Sequence, residues 1–133
     1  MWDGSDAVTD MGPEDSDYEE RAAQRRMSDA FLREIENVIS ERSRRDLAFN
    51  AGYLALLSTL TADDGVNADI DHPNAFLISL AAAVKLDGEV EPQDIMHGVL
   101  LAVNYHRPGE VAAEDTQTAM AWARRMRKAV GWE

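Results

Sequence analysis

Apolar residues in this chain recur every three or four positions and almost never alternate, the pattern of helices that bury one face rather than of strands. Met27, Phe31, Ile35 and Val38 follow one another at that spacing and predict a first helix from about Glu19 to Ser40. Arg25, Arg26, Arg33, Glu34 and Glu36 fall largely outside the stripe and form a solvated face. Ser43 and Asp46 make an S-x-x-D start for a second helix, in which the serine and the acid satisfy amides that have no partner within the first turn. There Leu47, Tyr53 or Leu54, Leu57 and Leu60 form the main stripe, while Ala48, Ala51, Gly52 and Ala55 let neighbouring backbones come close. Apolar residues nearly encircle this helix, so it is central or lies partly in an oligomer interface. The short junction favours two antiparallel neighbours, with a bent continuous helix over 19–62 as the alternative.

The segment ADDGVNADID at 62–71 reads as a polar loop. Pro73 opens a third helix, capped by His72 or Asp71 and running to about Lys85, where Leu86, Asp87 and Gly88 end it. Pro92 opens a fourth, whose inner face is expected to be Ile95, Met96, Val99, Leu100 and Val103, until Pro108 and Gly109 stop it. The last helix spans about 112–130. Its apolar stripe is Ala119, Trp122, Ala123, Met126, Ala129 and Val130, and Arg124, Arg125, Arg127 and Lys128 complement the negative end of its dipole. With no strand-like run and no internal repeat, the expected fold is all-α, a compact bundle of about five helices.

Composition divides the chain. Of its 133 residues, the first twenty hold eight acids and no base, while the rest hold seventeen acids against thirteen bases, so most of the net charge of −12 sits at the amino end. Residues 1–18 are expected to be a disordered acidic tail and 19–133 a single helical domain. The tail either solubilises the chain or docks on a basic partner as a nucleic-acid mimic. A pI near 4.5 disfavours direct binding to phosphate backbone, which needs Lys and Arg. Cysteine is absent, the amino end is acidic where a secretory leader is basic, and the nearly apolar stretch Ala75 to Val84 is well short of the roughly 20 residues that span a bilayer. A soluble, cytoplasmic protein with no membrane contact is the expectation.

Candidate chemistry is sparse. Glu91, Asp94 and His97 lie at i, i+3 and i+6, so Asp94 and His97 offer a carboxylate and an imidazole to one metal ion, but one helix alone supplies them. Asp69 and His72 repeat the types in a loop, and the acids at 63–71 lack the glycine position and final glutamate of a calcium loop. Phosphate-binding, dinucleotide and hydrolase motifs are missing, and no cofactor is expected.

LAFNAGYLALLSTLTA at 47–62 resembles the second-helix signature of the HEPN superfamily. DHPNAFLISLAAAV at 71–84 is similar to the helix start that follows it there, and NYHRPGEVAAEDTQTAMAWARRMRKAV to that family's closing turn and Ala-rich helix. Active HEPN ribonucleases carry R-x4-6-H, and no arginine here precedes His72, His97 or His106 by that spacing. The resemblance therefore implies a member without the ribonuclease centre: a non-catalytic helical homodimer that binds a protein partner in a toxin-antitoxin, defence or stress setting. Tyr53, Leu57 and Trp122 are the candidate contact residues. The alternative is an RNA-acting nuclease with a displaced site, in which His106 would move the proton and Arg107 would contact phosphate.

Overall fold

In the computed structural model, residues 13–60, 75–105 and 109–133 are described. They form five helices, α1 Pro13–Ile35, α2 Glu41–Leu57, α3 Ala75–Leu86, α4 Pro92–Val103 and α5 Ala113–Ala129, with no strand among them. The protein is an all-α bundle. The loop at 62–71, the start of the third helix at Pro73 with its cap, and the stop at Pro108 lie outside the described residues, as do residues 1–12 of the acidic tail.

α1 starts at Pro13 rather than Glu19, so the last residues assigned to the tail are helical. Proline at the first position costs no internal hydrogen bond. α2 is a separate helix, not a continuation. Its cap is Ser40, whose side chain accepts from the Ser43 amide at 3.4 Å, one turn before the expected Ser43 cap. Asp46, expected to assist that cap, is instead buried on the inner side of the helix.

α1 and α2 run antiparallel. Arg21 Nε donates to the Ser58 carbonyl (2.8 Å) and Ser28 Oγ to the Ala51 carbonyl (2.8 Å), one register along the pair. α5 lies on the other flank of α2, roughly parallel to it: Thr116 Oγ1 donates to Glu41 O at 3.0 Å near one end, and Trp122 packs at Gly52 further along. α2 is thus the centre of a three-helix layer, buried almost without interruption from Asp46 to Leu57.

The buried face of α1 is rotated from the expected stripe. Met27 is exposed, while Ser28 and Ile35 are buried and Phe31 and Leu32 pack against the core. Ser28 tolerates this because its hydroxyl is used twice, donating to Ala51 O and accepting from Arg127 Nη1 at 2.7 Å. Arg127, also buried, donates to Asp29 Oδ1 at 2.6 Å and lies 3.3 Å from Glu133. Its guanidinium stands 5.7 Å from the centre of the Trp132 ring.

α3 and α4 form a hairpin packed mainly on each other, with fewer contacts to α2 and α5. Its turn places Asp87 at φ 45° and Gly88 at φ 92°, left-handed backbone that glycine adopts without cost and aspartate tolerates. Trp122 is the joint between hairpin and layer. Its ring lies between two glycines: a Cβ on Gly52 would stand 2.8 Å from Cε3, and one on Gly98 would stand 2.9 Å from Cζ2. Its Nε1 donates to the Asp94 carbonyl at 3.0 Å. Phe49 stacks on it at 5.8 Å between ring centres, with Tyr53 at 5.2 Å and Tyr105 at 5.3 Å completing the aromatic cluster.

Candidate interaction surface and polar clefts

α4 is turned relative to the expected register. Asp94, Gly98 and Leu101 face the core, whereas Met96, Leu100 and Val103, expected inside, form an exposed stripe at i, i+4 and i+7. On the neighbouring helix Leu80 and Val84 are exposed at i, i+4. These five side chains range from 39% to 82% exposed. The other large exposed apolar residues among those described, Tyr18, Met27 and Ile39, are scattered over α1 and the link after it. Isolated apolar residues on a surface are ordinary, whereas here two helices that pack on each other both leave large apolar residues exposed at helical spacing. From Ile95 to Tyr105 there is no Asp, Glu, Lys or Arg, and α3 has only Lys85.

The residues expected to make contacts are placed elsewhere. Tyr53 and Trp122 are fully buried and Leu57 nearly so, all three in the core of the single chain. Their size and position at the α2–α5 contact use them for folding, and none is available to a partner. His106 and Arg107 lie outside the described residues.

Asp94 and His97 share a helix face without forming a metal centre. Asp94 Oδ2 accepts from the Glu91 amide at 3.2 Å, closing a reciprocal box at the start of α4, and Oδ1 accepts from Arg125 Nε at 2.9 Å. The guanidinium occupies the place where a cation would approach, and no third His, Cys, Asp or Glu joins them among the described residues. His97 meets the Trp122 ring edge-on at 6.3 Å. Burial, and then the Arg125 charge, push its imidazole below the ordinary value, against a smaller opposing pull from Asp94.

Two polar clefts flank the core. In one, of about 340 Å³, His97 and Arg45 face Asn104, Asp115 and Thr118. An imidazole beside a guanidinium is the pair that phosphoryl chemistry uses, and here it comes from different helices. Arg45 is committed, however: Nη2 donates to Asn104 O at 2.8 Å and lies 3.5 Å from Asp46 Oδ1, while Asp115 adds an opposing negative charge.

The other cleft, of about 360 Å³, lies between the end of α1, the first half of α2 and Tyr105. Asn50, buried within α2, lines it, and its Oδ1 has no hydrogen-bond partner. A buried carbonyl left unpaired costs about 1–3 kcal/mol. The sequence signal for this cleft is a polar i, i+4 pair, Asp46 and Asn50, inside an otherwise Ala- and Leu-rich helix.

The fold and these surfaces define a helical bundle with one unusually apolar outer face. No family model, curated protein or solved structure matches the chain.

Proposed function

We propose that this protein is a non-catalytic helical interaction module that pairs with a second copy of itself through the outer face of α3 and α4. The observation that carries this reading is the exposed stripe Met96, Leu100 and Val103 beside Leu80 and Val84. Every other long helical face among the described residues is buried or charged. A chain of net charge −12 repels its own copies, and the α3–α4 face is where two copies meet without placing acid against acid. Two such hairpins related by a two-fold axis make a four-helix layer whose apolar stripes cover each other. An HEPN-like protein lacking its cutting residues fits that role. The core of each protomer is complete without the partner, so the face is free to recognise rather than to complete the fold.

Sedimentation velocity tests this directly. Wild type is expected to sediment as a dimer, and Leu100→Glu as a monomer with unchanged helical content, because the substitution places a charge in the middle of the stripe. A wild-type chain that stays monomeric at all accessible concentrations removes the proposal.

A further inference from the structure

The apolar face of α3 and α4 holds one residue whose chemistry can change after folding. Met96 is 58% exposed and begins the stripe that Leu100 and Val103 continue, so at intervals of four and three the three side chains share one face of α4. The other described methionines are placed differently. Met126 is fully buried and Met120 packs half-buried against the core, whereas Met27, on α1, is 49% exposed. Met27 meets solvent much as Met96 does, but it follows Arg25 and Arg26 on a helix outside the α3–α4 face. Among the described residues there are thus two accessible thioethers, one on the face and one away from it.

A thioether is only weakly polar and fills irregular gaps in an apolar contact. Its sulfur is also a nucleophile. A sulfur lone pair attacks one oxygen of a peroxide, the O–O bond breaks, the sulfur keeps that oxygen, and with hydrogen peroxide the other leaves as water. The product is a sulfoxide, a hydrogen-bond acceptor. Leu80, Val84, Leu100 and Val103 carry no donor, and no Lys or Arg occurs from Ile95 to Tyr105. The His97 imidazole is turned to the Trp122 ring and to the cleft it shares with Arg45. Under a matching apolar face the sulfoxide would be buried without a partner, a penalty the thioether escapes. At Met27 the same product stays in water.

We propose that Met96 is a redox-sensitive modification site: a peroxide converts its thioether to the sulfoxide and so separates the paired copies. This regulation rests on pairing through α3 and α4, and the two events oppose each other. Pairing covers the sulfur, so peroxide reaches it in the separated chain, and oxidation then holds the copies apart. A methionine sulfoxide reductase reverses the step: two thiols become a disulfide, the sulfoxide oxygen leaves as water and the thioether returns.

Hydrogen peroxide treatment of the full-length wild type, Met96→Leu and Met27→Leu tests this, with peptide mass spectrometry locating the added oxygen and sedimentation velocity reading the pairing. All three are expected to pair before treatment, since leucine keeps the volume of methionine. Oxidation is expected to weaken pairing at least about tenfold in wild type and Met27→Leu, and to leave Met96→Leu paired, with helical content unchanged throughout. Met96→Gln, which places an amide near the position of the sulfoxide, is expected to pair at least about tenfold more weakly with no oxidant present. In wild type, oxidation of Met96 slows as protein concentration rises, while that of Met27 does not. A wild type that never pairs before treatment removes the pairing and this switch together. Where wild type does pair, the switch alone is overturned by pairing that survives oxygen at Met96, by equal loss of pairing in Met96→Leu, by unaltered pairing in Met96→Gln, or by separation that occurs only with loss of helical content.

Discussion

The layer of α1, α2 and α5 and the hairpin of α3 and α4 face the same problem, one apolar stripe per helix to be removed from water, and among the described residues the layer solves it more completely. α2 is enclosed from Asp46 to Leu57, and two polar residues taken into the layer's interior are paired across it, Ser28 with Ala51 and Arg127 and Thr116 with Glu41, while the Asn50 amide oxygen has no partner. The hairpin has apolar residues on two opposite sides. One side meets Trp122 and α2, while the other leaves Leu80, Val84, Met96, Leu100 and Val103 in water. A helix that is apolar on more than one face has a second surface to bury. The difference teaches that the layer buries its apolar residues more completely than the hairpin does, which is why the proposed pairing is placed on α3 and α4.

The strongest way to break this comparison is at the joint. Trp122→Ala removes the ring held between Gly52 and Gly98 together with its hydrogen bond to Asp94 O, and is expected to destabilise the fold by about 3–5 kcal/mol in urea unfolding. A loss below about 1 kcal/mol would mean that the hairpin is not anchored through this residue.

A finer comparison sets one glycine of each region against the other. At Gly52 an added methyl meets the Trp122 ring and stands 3.0 Å from the Ala123 Cα, between two helices of the layer that cannot separate easily. Gly52→Ala is therefore expected to cost about 1–3 kcal/mol. At Gly98 the methyl meets one ring atom at 2.9 Å and the next atom only at 3.5 Å, and the hairpin has open water behind it. Gly98→Ala is expected to cost less than half as much in the same thermal or urea titration. Equal losses would show that the hairpin is as firmly held as the layer.

The smallest expected effect is a pH dependence carried by His97 at the boundary. The folded state holds its imidazole below the ordinary value, so on acidification the unfolded chain takes up the proton first. Its contribution to stability is complete above the unfolded value near 6.5 and is lost as pH falls from there toward the folded value. His97→Gln is expected to flatten that part of the stability profile, measured by thermal unfolding at pH 5 to 8. An unchanged slope in the variant would assign the dependence to other groups.

Helix number, order and approximate ends were legible because they depend on local signals: Pro92 opening α4, Gly88 at the turn after α3, and the apolar density of α2. Which way each helix faces was less so. The stripe of α1 passes through Ser28 rather than Met27, since a serine is acceptable inside once Ala51 and Arg127 supply partners from distant parts of the chain. α4 is rotated because Trp122 needs the space at Gly98 and the carbonyl of Asp94, and no spacing within α4 reveals a ring arriving from α5. The same rotation leaves Met96, Leu100 and Val103 exposed, while Tyr53, Leu57 and Trp122, on other helices, are buried in the core. Arg45 and His97 share a cleft although they are 52 positions apart, so a search for R-x4-6-H could not find them together.

The absence of cysteine makes the central claim open to a direct measurement, because a single introduced thiol has no competitor. Val103→Cys, on the proposed contact face, and Ile39→Cys, fully exposed on the link between α1 and α2, are compared under mild oxidation at equal concentration. Rapid conversion of Val103→Cys to a disulfide-linked dimer, with Ile39→Cys remaining monomeric, is the result expected. Equal rates for the two, or faster coupling through position 39, would contradict pairing through α3 and α4.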